Sequence, residues 1–147
     1  MAVAVTDADT VVDLAGQVHR ALWNLDAVRT AYRPIRIQVR PDGRVTLLGP
    51  VRSRFVRDLI LNVVAEIPGV VEVIDRMVAD PELEVRVAEA VSTDSRTLSL
   101  PPGSVLVHGL YGAVTLTGQL PPGSDREAVL RVVGAVPGVV QVNDRLT

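Results

Sequence analysis

The phrase IPGVVEVIDRM at residues 67–77 returns at 136–146 as VPGVVQVNDRL. Sliding the chain against itself by 69 positions aligns residues 13–78 with 82–147 without a gap. The matches cluster: Leu14, Val18 and Ala21 meet Leu83, Val87 and Ala90, and GRVTLLG at 43–49 meets GAVTLTG at 112–118. A duplication of this length constrains the fold before any other pattern does, because whatever one half forms the other must form too. It predicts two modules, 10–78 and 80–147, whose joint at Val78-Ala79 is short enough that they should pack together.

Each copy can be divided into elements. Leu14, Val18, Leu22 and Leu25, with Val11 and Ala21 beside them, have the spacing of an amphipathic helix, and Leu83, Val87, Ala90 and Val91 repeat it. In the second copy Asp80-Pro81-Glu82 reads as an N-cap, a first-turn proline and an acidic first turn. Two alternating segments follow, IRIQVR and RVTLLG, joined at Pro41-Asp42-Gly43. That is a hairpin signal, because proline presets its own φ and glycine accepts a positive one. The second copy reads VLVHG, Leu110-Tyr111 and GAVTLTG. A second helix carries Val56, Leu59, Ile60, Val63, Val64 and Ile67, matched by Val129, Leu130, Val132, Val133 and Val136. Ser124 and Glu127 have capping-box spacing at its start in copy two. Pro68-Gly69 and Pro137-Gly138 stop these helices, and VVEVIDR and VVQVNDR alternate as closing strands. The expected fold is α+β: two tandem α-β-β-α-β modules, each with a three-stranded mixed sheet. The repeated phrase is scaffold, and its Asp75-Arg76 and Asp144-Arg145 are expected to cap a neighbouring helix or pair with the adjacent module's arginine.

Composition narrows the function. Hydrophobic residues make up 48% of the 147 positions and aromatics only 3%, so a core exists and must be built from Val, Leu, Ile and Ala. Without cysteine, disulfides, thiolate metal sites and Cys nucleophiles are excluded. The opening MAVAVTDADTVVDLAG has no basic n-region and carries Asp7, Asp9 and Asp13, which predicts a cytoplasmic address. Apolar runs are strand-sized or broken by charge, so membrane contact would be peripheral.

The opening helix, the DGRVTLLGPV hairpin half, the second helix and the closing PGVVEVIDRM together resemble the BON domain family, which occurs in bacteria, often in tandem. The resemblance covers nearly the whole chain. It implies an α+β sandwich with two helices on one face of each sheet, and a role in attachment to phospholipid surfaces or other envelope components. It brings no catalytic signature. One departure is that GLYG replaces the Asp-Gly hairpin in the second copy.

His19 and His108 have no motif partners and do not align with each other, so they read as structural or surface residues. No nucleophile-base pair stands at catalytic spacing, so a non-enzymatic module with no cofactor and no metal is expected. All 15 basic residues are arginine, which reads first as codon bias and second as phosphate chemistry. Eight of them (29, 33, 36, 40, 44, 52, 54, 57) fall between residues 29 and 57 against one acid, Asp42. Alternation sends Ile37, Val39, Val45 and Leu47 inward and Arg36, Arg40 and Arg44 outward, where with Arg52 and Arg54 they could meet anionic phospholipid or an acidic protein. A solvated face is the plainer reading. In the second copy the aligned positions are Val105 and Val107, with Leu110 and Tyr111 at the hairpin tip, so an apolar face for another protein or a second copy is the alternative. Net charge of -2, pI near 5.6 and no aromatics among the arginines argue against nucleic acid, and no GxGxxG or P-loop supports a nucleotide.

Overall fold

The computed structural model describes residues 7–25, 29 and 35–147, with backbone alone over 7–12. Arg33 and the side chain of Val11 lie outside the described residues. The first copy runs α1 (Asp7–Trp23), β1 (Arg36–Val39), β2 (Arg44–Val51), α2 (Arg54–Ala65) and β3 (Glu72–Ala79). The second runs α3 (Asp80–Thr93), β4 (Leu106–Leu110), β5 (Ala113–Gly118), α4 (Arg126–Gly134) and β6 (Gln141–Leu146). Both sheets have three strands, in the orders β1-β2-β3 and β4-β5-β6. β1 is antiparallel to β2 and β4 to β5, whereas β5 and β6 run parallel, which requires the intervening helix as a crossover. The α+β fold expected from the duplication is therefore present twice, in compact units Met1–Met77 and Val78–Thr147.

Helical periodicity decides which side chains are buried. Leu14, Val18 and Leu22 form one stripe on α1, and α1 packs on α2 and β1. Ile60 and Val64 are the buried residues of α2, facing the sheet that contributes Val45, Leu47 and Val51. In the second unit Leu83, Val87 and Val91 meet Val114 and Leu116 from β5 and Val129, Val132 and Val133 from α4. A side chain of this size, fully buried, contributes about 1.5–3 kcal/mol relative to exposure.

Helix ends depart from expectation in two places. Ser53 caps α2 by accepting the Val56 N–H at 3.2 Å, but α4 is capped by Asp125, which accepts from Ala128, and the Ser124 hydroxyl instead donates to Pro121 O. Asp80 is not an N-cap. Ala79 holds that position without a side-chain bond, and the Asp80 carboxylate turns away from its own helix to accept the backbone N–H groups of Tyr111 (2.9 Å) and Gly112 (3.1 Å).

Those two N–H groups belong to the β4–β5 turn, and the two hairpins differ in length. The first has a three-residue loop, Pro41-Asp42-Gly43, with Gly43 at φ 89°. Gly43 N–H donates to Arg40 O, Arg40 N–H donates to Arg44 O, and Asp42 accepts the Arg44 N–H, the pattern of a turn followed by a glycine bulge. The second has a two-residue loop, Tyr111-Gly112, with both residues at positive φ (48° and 81°), as a type I′ turn requires. The shorter loop shifts β4 by one residue relative to β1: Val39↔Val45 corresponds to Gly109↔Val114, an offset of 109 − 39 = 70 on one strand and 114 − 45 = 69 on the other. An extra residue between α3 and β4 restores the helices to the common offset, so the alignment shows no gap.

Candidate functional site

On the first sheet, Ile37 pairs with Leu47 and Val39 with Val45 on the helix-covered side. The other side carries Arg36, Gln38 and Arg40 from β1 and its continuation, Arg44, Thr46 and Leu48 from β2, and Glu72, Ile74 and Arg76 from β3. Arg44 is occupied: its Nε lies 3.3 Å from Glu72 Oε2 and 3.6 Å from Asp42 Oδ2. Among the described residues Arg36, Arg40 and Arg76 pair with no carboxylate, and all three are exposed. Gln38, Arg40, Thr46, Leu48, Ile74 and Arg76 line a shallow depression of about 310 Å³. Arg52 and Arg54 do not join this group, because Arg52 follows β2 out of the sheet and Arg54 opens α2.

Arg76 is the cation that the sequence reading leaves out. It belongs to the Asp-Arg phrase, and the alternation that places Glu72 and Ile74 outward reaches it two residues later. The aspartates of that phrase serve their own modules rather than a neighbour's helix or arginine. Asp75 pairs with Arg57 of α2 (3.7 Å) and accepts the Met77 N–H, while Asp144 pairs with Arg126 of α4 (3.1 Å) and accepts the Leu146 N–H. Each carboxylate ties the last strand of a unit to the start of the helix before it.

The second sheet corrects the apolar face expected from sequence. Val107 pairs with Leu116, and Val105 and Val107 pack against the second core instead of pointing outward, because the shortened hairpin exchanges the two faces of β4. The outward residues are Leu106, His108 and Leu110 on β4, Thr115 and Thr117 on β5, and Asn143 and Arg145 on β6. Leu106 and Leu110 stand where Arg36 and Arg40 stand in the first unit and are 56% and 50% exposed. Tyr111 is half-buried, with its backbone held by Asp80. Asn143 Nδ2 contacts Thr115 Oγ1 at 3.4 Å and its Oδ1 accepts from Gln141, a polar ladder on the outer surface. The two sheets share one architecture and present different chemistry.

Elsewhere in the second unit, Val105 and Val107 border a cleft of about 190 Å³ between α3 and the segment before β4. Near it Arg96 hydrogen-bonds the Asp94 carboxylate (3.0 and 3.1 Å) and holds its pKa down at about 2. The sequence PPGS occurs at 101–104 and again at 121–124, and each serine hydroxyl donates to the carbonyl of the first proline. His108 lies with Nδ1 3.8 Å from Glu84 Oε1, and the same oxygen accepts the Gly109 N–H at 2.8 Å. No group of three or more His, Asp or Glu among the described residues could hold a metal ion, and no described helix is long and apolar enough to cross a membrane.

Two α-β-β-α-β units, each with two helices and one bare sheet face, define a duplicated small α+β domain. The chain belongs to the BON domain family, whose model matches residues 10–81 and 79–147. Among solved structures it is similar to the C-terminal domain of CdsD, described as the structural protein of the type III secretion system of Chlamydia trachomatis, with a TM-score of 0.67 and 13% identity. That match covers 92% of this chain and 64% of the other, and it shows a shared fold. A second CdsD structure matches with a TM-score of 0.43 and 13% identity over 91% of each chain. No curated protein matches the sequence.

Proposed function

We propose that the protein is a non-enzymatic binding module whose first unit attaches to anionic phospholipid surfaces through its open sheet face. The observation that carries this reading is the exposure of Arg36, Arg40 and Arg76 on one side of one sheet, with the neighbouring acids Asp42 and Glu72 already engaged by Arg44. An exposed set of like charges suits an extended anionic surface, and each arginine near an anionic bilayer contributes about 1 kcal/mol. The attraction falls off within a Debye length, about 8 Å at physiological salt. In co-sedimentation the protein should associate with vesicles containing phosphatidylglycerol, release as salt rises, and ignore pure phosphatidylcholine. Removing all three charges (Arg36→Gln, Arg40→Gln, Arg76→Gln) should weaken partitioning about 100-fold. Unchanged association of the triple variant would overturn the assignment.

A second reading, assembly through the second unit, is favoured by the exposure of Leu106 and Leu110 on the corresponding face. Here sedimentation velocity should show self-association at high concentration that Leu106→Asp with Leu110→Asp removes. A monomer that is unaffected by the substitutions would sink it.

A further inference from the structure

We infer that the depression between Arg40 and Arg76 is a discrete site for one phosphomonoester group, carried by a lipid headgroup or by a small soluble phosphate. The inference deepens the proposed anionic attachment of the first unit and rests on it for the lipid form only. Gln38, Arg40, Thr46, Leu48, Ile74 and Arg76 line one hollow, with Arg40 at one end and Arg76 at the other and a threonine, a glutamine and two apolar residues between them. Guanidinium forks match phosphate oxygens in geometry and stay charged at any working pH. The Thr46 hydroxyl and Gln38 amide can donate to further oxygens. Leu48 and Ile74, half-buried, give the hollow an apolar floor.

Charge selects the class of phosphate. A phosphomonoester carries about -1.5 to -2 at neutral pH and exposes three acceptor oxygens, so it matches two arginines. A phosphodiester carries one charge and leaves one arginine uncompensated. Glu72, the acid on this face, is drawn to Arg44 and so repels an incoming anion less. Arg36 shares the face and the charge but does not line the hollow, which makes it a control of equal charge. The second unit lacks the arrangement: Leu110 replaces Arg40, Thr117 replaces Leu48 and Asn143 replaces Ile74, leaving Arg145 alone, so each chain carries one site.

The test uses the full chain with phosphatidylcholine vesicles doped with phosphatidic acid, or with phosphatidylglycerol to the same zeta potential, and calorimetric titration with glycerol 3-phosphate. Phosphatidic acid should be preferred about tenfold, and Arg40→Gln or Arg76→Gln should erase the preference while Arg36→Gln keeps it. Circular dichroism confirms that the variants, all at exposed positions, remain folded. Equal binding to both vesicle types, or equal loss from all three variants, would overturn the site and leave the surface attraction standing. Saturable glycerol 3-phosphate binding that needs Arg40 and Arg76, without vesicle association, supports the site and overturns the membrane reading. Binding of neither probe overturns both.

Discussion

Gly43→Ala should destabilise the first unit by about 4 kcal/mol, whereas Gly103→Ala should cost about 1 kcal/mol, though both glycines have positive φ. A Cβ on Gly43 would lie 2.5 Å from Gly69 O and 2.9 Å from a Val71 methyl, and the Gly43 carbonyl also accepts the Val71 N–H. Neither the backbone oxygen nor the strand behind it can retreat without loosening the hairpin from the turn that follows α2. At Gly103 the same added atom meets nothing within 4 Å, so only the backbone preference is charged against it. Urea unfolding followed through Trp23, the single tryptophan and a residue of α1, reports on the first unit, and hydrogen exchange at the β4 and β5 amides reports on the second, where Gly103 lies. Equal, small losses for the two variants would show that the contact between the hairpin and the Pro68-Gly69 turn yields easily.

The second large effect is expected at Asp80. Asp80 is 2% exposed, and its carboxylate accepts two backbone N–H groups from a turn in which Tyr111, a non-glycine residue, is held at φ 48°. Asp80→Ala leaves those donors in a dry place and removes what holds the left-handed residue, at a cost of about 3 kcal/mol. Hydrogen exchange should show it first at the Tyr111 and Gly112 amides, then across β4 and β5, while Trp23 fluorescence stays at its original midpoint. Retained protection at both amides would mean the turn closes by itself. The first unit needs no such aid, because Asp42 within its own loop accepts the Arg44 N–H.

Much of this architecture can be read from the chain. The helix stripes, the first hairpin and the Pro-Gly stops rest on local chemistry, so Leu14, Val18 and Leu22, or Val129, Val132 and Val133, are buried as their spacing predicts. What depended on distance was hidden. Asp80 looks like a cap because it stands beside Pro81, yet its partners lie 31 and 32 residues on. The face of β4 was hidden for another reason: in Val105-Leu106-Val107 apolar residues occupy both phases, so alternation alone cannot choose between them. Counting the residues between Leu110 and Ala113 would have chosen, since two-residue and three-residue loops impose different registers. For the candidate site, Arg36 and Arg40 were visible by alternation, whereas Arg76 was masked by its place in a phrase that repeats for structural reasons.

The length of the β1–β2 loop therefore acts as a phase setting for the strand that precedes it. Because pleated side chains alternate, adding or deleting one residue there exchanges the inner and outer sets of an entire strand while the rest of the unit is untouched. A gene copy freed by duplication can thus acquire a new exterior by two compensating changes, one residue lost from the loop and one gained before the strand, provided both sets are tolerable inside, as the mixed phases of Val105, Leu106 and Val107 allow. Arg36 and Arg40 forbid the same step in the first copy, since it would drive two guanidinium groups into the core. One twin is locked to its present surface by its own charges, and the other is free to drift.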